Sequence, residues 1–168
     1  CSNIFNELKE KYNNITLIGV IDATINRFMK INKKRVLVIG TVGTINSKIY
    51  EEKIRNIDNS IRVYNLSTPE LVPMIEKEID TKDIINKYLK PYKSIDSIIL
   101  GCTHYKLIEH NIKNLTTVNS SDGVIDEIKR YIIGSEKGSI NIYTTGNIIE
   151  FNKLCIKIMN MYADKIDL

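Results

Sequence analysis

Short runs of β-branched and aliphatic residues alternate along this chain with longer segments whose apolar positions recur every three or four residues. The short runs predict strands at Ile15 to Val20, Arg35 to Thr41, Ile61 to Leu66, Ser97 to Gly101, Thr116 to Val118 and Ile140 to Tyr143. The longer segments predict helices in the gaps. Ser47 to Asn56 sets Ile49 and Ile54 at helical spacing, and Pro69 to Glu78 follows the cap candidate Thr68 with proline in the first position. Asp80 to Tyr92 carries the stripe Ile84, Ile85, Tyr88 and Leu89 behind Asp80 as N-cap. Asn147 to Met161 gathers Ile148, Phe151, Leu154, Cys155, Ile158 and Met159 on one face that should dock on a sheet. Strands alternating with helices build parallel sheets, so the fold class is α/β.

No repeat, low-complexity tract or Pro/Gly/Ser-rich linker interrupts the pattern, and the weakest joints fall near Ile21 to Lys34 and Leu115 to Asp122. The 168 residues, 43% hydrophobic and 26% charged, suffice for one ordinary domain or two small lobes. Apolar runs such as Val36 to Ile39 are far shorter than the roughly 20 residues that span a bilayer. Cys1 to Lys11 has no apolar signal core. These features predict a cytoplasmic protein without membrane association. Because residue 1 is Cys rather than Met, and Ile4, Phe5, Leu8 and Tyr12 enter directly into a helical pattern, the chain reads as a fragment.

Charge and cysteine content narrow the chemistry. The net charge of +4 is dispersed, with no basic block longer than Lys33-Lys34-Arg35, which argues against a nucleic-acid partner and leaves small acidic ligands open. Cys1, Cys102 and Cys155 are odd in number and far apart, unlike a disulfide framework or a CxxC zinc site. The two histidines, His104 and His110, would lie on different faces of a helix, so no shared metal site is expected. Cys155, on the apolar face of the last predicted helix, reads as core.

Ligands in parallel sheets bind at the carboxyl ends of strands, where loops lead into helix N-termini. One such junction is Gly40-Thr41-Val42-Gly43-Thr44-Ile45-Asn46-Ser47, which could hold a carboxylate or phosphate. It matches neither GxGxxG nor the P-loop pattern, and Thr44 or Ser47 could equally be a helix N-cap with the glycines shaping the turn. The other is Gly101-Cys102-Thr103-His104-Tyr105, which delivers a thiol, a hydroxyl and an imidazole to a helix start. That setting would lower the thiol pKa from about 8.5 toward neutrality. The bland reading, with Cys102 as a small hydrophobe, Thr103 as a cap and His104 on the surface, stays open.

Taken together, the two junctions resemble the glutamate racemases of bacterial cell-wall synthesis. Gly40 to Tyr50 is similar to that family's GTxxTxxSxxY loop, and Gly101 to Tyr105 matches its GCTHY motif. Glu70 to Glu76 is similar to its LVPxVE stretch, and Tyr143 to Asn147 to a late strand-turn. Related aspartate racemases typically carry an acidic residue at the position of His104, so the imidazole points to glutamate.

The resemblance implies two flavodoxin-like parallel-sheet lobes with pseudo-twofold symmetry and the substrate between them, the first lobe incomplete in this chain. Residues 1–20 would be the remainder of that lobe, 21–117 the second lobe, and 118–168 a C-terminal return into the first. It also implies cofactor-independent, two-base racemisation of L- and D-glutamate, supplying D-glutamate for peptidoglycan. Cys102 would be base for one enantiomer and acid for the other, with His104 tuning or relaying its proton, and Thr41, Thr44 and Thr103 would hold the carboxylates. No metal or organic cofactor is called for, glutamate is the expected small-molecule partner, and a homodimer is left open. The family's N-terminal DSG turn and CNT cysteine have no counterpart here, and Cys1 falls about three residues late for that cysteine. The expectation is therefore that Cys1 lies in the first turn of a helix, that the first base is upstream, and that this chain alone is inactive. Cys1 as the base stays open. Lys106 replaces a common proline, and Asn119 a common Asp. Two other readings remain: racemisation of aspartate or another amino acid, and a truncated, non-catalytic binding module.

Overall fold

In the computed structural model, residues 4–132, 134 and 138–167 are described; Cys1, and with it the expectation for the first turn, lies outside them. The chain divides into two compact units, Cys1–Ile132 and Ile133–Leu168.

The first unit opens with α1 (Phe5–Lys11), which buries no residue. There follow α2 (Val20–Met29), β1 (Arg35–Gly40), α3 (Val42–Asn46), α4 (Ile49–Ile57), β2 (Arg62–Ser67), α5 (Leu71–Glu76), α6 (Lys82–Leu89), β3 (Ser97–Leu100), a 3-10 helix (Thr103–Asn111), β4 (Thr116–Asn119) and α7 (Ser120–Ile128). The strands form one parallel sheet in the order β2-β1-β3-β4. β1 and β3 are its centre, and their continuous apolar runs reflect burial on both faces. Alternation divides those runs between two cores. Leu37, Ile39, Ile98 and Leu100 pack with Leu71, Ile85, Tyr105 and Ile108 on one face. Val36, Val38 and Ile99 pack with Ile25, Phe28, Tyr50 and Ile54 on the other. Each fully buried Ile or Leu contributes roughly 1.5–3 kcal/mol relative to exposure, so the sheet is held mainly from its two faces.

The four sheet strands lie where the sequence predicts them, to within a residue or two at their ends. Residues 16–19, expected as strand, have no regular structure, and α2 starts at Val20 with the extended Gly19 before it. Extended backbone becomes a strand only when a neighbour completes the hydrogen-bond ladder, and among the described residues none pairs with it. The expected joint from Ile21 onward is largely helical. The helix expected over Ser47 to Asn56 is α4, which starts at Ile49 after Lys48 adopts a left-handed conformation at φ 51°, and the short α3 is an additional helix ahead of it. Thr68 does not cap α5: Glu70 takes the N-cap position without a side-chain bond. Asp80 does accept a hydrogen bond, from the Lys82 N–H at 2.9 Å, one residue before the N-cap Thr81.

In the second unit, β5 (Tyr143–Thr144) pairs in parallel with β6 (Asp164–Lys165), shorter and later than the strand expected from Ile140. Helix α8 (Ile148–Met159) is capped by the Asn147 side chain, which accepts from Ile149 N and Glu150 N. Cys155 is buried as expected, whereas Ile158 and Met159 are exposed. Among the described residues no helix is long and apolar enough to cross a membrane.

β4 and α7 continue the first unit past Thr117, and α7 packs along α2. Their closest approach is at Gly123, where a Cβ would stand 2.8 Å from the Ala23 carbonyl oxygen and 2.9 Å from Thr24 N. Gly123→Ala should therefore destabilise the protein by about 1–3 kcal/mol, because overpacking against backbone outweighs the helix-propensity gain of about 1 kcal/mol. Urea unfolding checks this; a midpoint at or above that of the parent would refute the close approach.

Candidate active site

The strand order reverses between β1 and β3. The chain leaves β1 toward the core containing Tyr50 and Ile54, and leaves β3 toward the core containing Tyr105 and Ile108. Loops at such a switch point diverge and open a crevice beyond the carboxyl ends of the strands. Both junctions singled out in the sequence sit there, side by side, since Ile39 pairs with Leu100.

On the β1 side, Thr41 caps α3, its Oγ1 accepting from Thr44 N at 3.3 Å and lying 3.0 Å from Thr44 Oγ1. Ser47 Oγ donates to Thr44 O at 2.7 Å. The cap weighed for Thr44 or Ser47 falls to Thr41 instead. Gly101 has no room for a side chain, since a Cβ there would stand 2.9 Å from Ile39 O, and a Cβ on Gly40 would press on Thr44 at 3.2 Å.

On the β3 side, Cys102 is extended and half-buried at the N-cap of the 3-10 helix. Its Sγ lies 3.8 Å from His104 Nδ1, and His104 Nε2 lies 3.3 Å from Glu76 Oε1. Thiol, imidazole and carboxylate therefore form a line. Thr103 is exposed and does not cap the helix. Glu76 is the member that reading single motifs missed. It ends α5, and only packing of α5 against the 3-10 helix brings it to His104. Its place in the LVPxVE-like stretch was the available signal.

The thiol's electrostatics correct the sequence expectation. Burial pushes the Cys102 thiol up from its ordinary value, and the Glu76 carboxylate adds to the rise; hydrogen bonds from the His104 and Tyr105 backbone N–H groups oppose it without reversing it. The helix start still favours the thiolate through those two N–H groups, but partial burial and the neighbouring carboxylate outweigh it. His110 is exposed, and among the described residues no three His, Cys, Asp or Glu side chains gather as metal ligands. The two departures from the racemase pattern have structural roles. Lys106 Nζ pairs with Glu109 at 2.8 Å and Asp122 at 3.3 Å, while Asn119 caps α7 by accepting from Asp122 N at 2.9 Å.

Iodoacetamide alkylation of Cys102, followed by peptide mapping against pH, should show a midpoint above that of a free cysteine thiol. Glu76→Gln should move it down, because removing a neighbouring negative charge favours the thiolate. The sign for stability follows: the folded thiol favours its proton, so its contribution is present below the unfolded thiol's pKa and is lost as pH rises through the folded value. A midpoint below that of free cysteine would overturn this account.

The sequence profile of the family described as Asp/Glu/Hydantoin racemase matches residues 2–129. A curated glutamate racemase of Hydrogenobaculum sp. (strain Y04AAS1) is 35% identical over 175 residues, covering 97% of this chain and 66% of that protein. The chain thus spans just under two thirds of the length of that relative. Among solved structures, a glutamate racemase isoform from Bacillus anthracis superposes with a TM-score of 0.81 at 25% identity, covering 98% of this chain and 69% of that one. A glutamate racemase from Francisella tularensis in complex with D-glutamate shares the fold with a TM-score of 0.78 at 23% identity, covering 97% of this chain and 67% of the other. A parallel α/β sheet with a thiol turn and a threonine loop at its switch point, matched by this profile over most of its length, places the chain in the Asp/Glu/hydantoin racemase family.

Proposed function

We propose that this chain carries one of the two bases of a cofactor-independent glutamate racemase. The observation that carries the reading is the line Cys102, His104, Glu76 beside the Thr41–Thr44 hydroxyl pair at the switch point. Inverting an α-carbon requires removing its proton from one face and returning a proton to the other, and one side chain reaches one face. Cys102 serves one face, donating in one direction and accepting in the other, with His104 relaying the proton and Glu76 holding the imidazole. A second thiol serves the opposite face. The hydroxyls of Thr41, Thr44 and Thr103 hold the substrate carboxylates, so that charge developing on the substrate meets fixed donors.

Glutamate as substrate rests on His104 and on the relatives, which are named glutamate racemases, one of them solved with D-glutamate. The same reading includes a two-lobed fold divided near residues 20 and 117, a cytoplasmic location and the supply of D-glutamate for peptidoglycan.

The test is kinetic, on the full-length protein. Cys102→Ala should abolish interconversion of L- and D-glutamate, and Cys102→Ser nearly so, because a hydroxyl is a far weaker acid than a thiol. Chirality and deuterium incorporation in deuterated water, followed for glutamate and aspartate in parallel, decide both role and substrate. Most of the activity surviving in either variant would sink the assignment, and preference for aspartate would reassign the substrate.

Thr44→Val should lower kcat/KM for glutamate by about ten- to a hundredfold, corresponding to roughly 1.5–3 kcal/mol for one hydrogen bond to a charged group. Unchanged kinetics would remove Thr44 from the carboxylate site.

A further inference from the structure

Beneath the candidate site lies a pair of hydroxyls that the racemase reading leaves without a role. Tyr105 is fully buried in the core on the α5 and 3-10 face, and Thr68 is buried at the exit of β2. Tyr105 Oη stands 2.7 Å from Thr68 Oγ1 and donates to Thr68 O at 3.1 Å.

Thr68 reaches two further segments. Its backbone N–H donates to Gly40 O at 2.9 Å, with Oγ1 3.3 Å from the same oxygen, and its carbonyl accepts from Leu71 N at 3.2 Å. Gly40 precedes the threonine loop, and Leu71 opens the helix that ends in Glu76. On the other side, the Tyr105 N–H donates to Cys102 O at 3.1 Å and closes the turn that holds the thiol. One pair of buried hydroxyls therefore ties together the exits of β1, β2 and β3, which carry Thr41 and Thr44, Glu76, and Cys102 with His104.

We propose that Tyr105 and Thr68 are positioning residues: their buried hydroxyl pair sets the thiol turn in register with the threonine loop and with Glu76. The geometry explains why a tyrosine, rather than a phenylalanine of the same shape, occupies a fully buried position. A buried hydroxyl costs free energy unless it is bonded, and here each hydroxyl satisfies the other. Burial holds the Tyr105 phenol at about 12, so it stays neutral and acts only through its hydrogen bonds.

The proposal deepens the racemase reading and rests on it for the kinetic arm alone. Tyr105→Phe and Thr68→Val each delete one hydroxyl while keeping the shape, Thr68→Ser keeps the hydroxyl, and the double variant removes both. Circular dichroism first establishes conditions in which every variant is folded. Alkylation of Cys102 by iodoacetamide is then measured by peptide mapping, with Cys155 as internal control. Tyr105→Phe and Thr68→Val should speed Cys102 alkylation several-fold by loosening the turn, the double variant should do no more than either single, and Thr68→Ser should stay near the parent. In the full-length enzyme, Tyr105→Phe should lower kcat by about tenfold or more while KM changes little, because displaced reacting groups cost rate rather than affinity. A lowered melting temperature with unchanged Cys102 alkylation would make the pair merely structural and overturn the proposal, as would unchanged kcat in an active enzyme. If the full-length parent does not racemise glutamate, the functional reading fails while the alkylation arm still decides the positioning role.

Discussion

The arrangement of this site depends on how closely β1 and β3 run beside each other at their carboxyl ends. The Gly101 N–H donates to Ile39 O at 2.8 Å, and a Cβ on Gly101 would approach that oxygen to 2.9 Å. Only glycine lets the pairing persist to the point where both strands end. The threonine loop and the thiol turn then start from neighbouring strands and diverge, because the order of the sheet reverses between them. Val36 and Val38 face one core, and Leu37 and Ile39 the other, so shifting either strand would disturb both. The two junctions thus start from strands buried on both faces, with Thr41 and Cys102 at the N-caps of the short helices that follow them.

The thiol at that crevice shows how a buried environment overrides a local motif. Two backbone N–H groups point toward Cys102 Sγ and favour the thiolate, but desolvation and the Glu76 carboxylate favour the thiol. The His104 imidazole stands 3.8 Å from the thiol on one side and 3.3 Å from the Glu76 carboxylate on the other. Tyr50 and Tyr105 are both held neutral by burial, so neither competes as a base.

A second polar network steadies the far side of the thiol turn. Lys106 and Glu109 of the 3-10 helix meet Thr117 and Asn119 of β4 and Asp122 of α7, and Arg27 of α2 reaches Asp122 and Asp126. Exposed pairs of this kind contribute little individually. Asn119 differs: it is buried, and its amide both donates to Glu109 and Asp122 and caps α7. The positions that depart from the racemase pattern are thereby absorbed into local scaffolding rather than into the crevice.

The α/β class, the four strands of the main sheet and the two junctions are legible in the sequence, because continuous apolar runs report burial on both faces and small residues after a strand report a tight exit. Its failures share one cause. Residues 16–19 form no strand, since pairing needs a partner that local pattern does not name. Thr68 looks like a cap beside Pro69, yet its hydroxyl turns inward to Tyr105. Glu76 meets His104 only because α5 packs against the 3-10 helix, and with burial it sets the direction of the Cys102 shift. Hydrophobic periodicity and turn chemistry act over a few residues and can be read along the chain. Desolvation, pairing and charge proximity act through space, and the tertiary structure alone decided them.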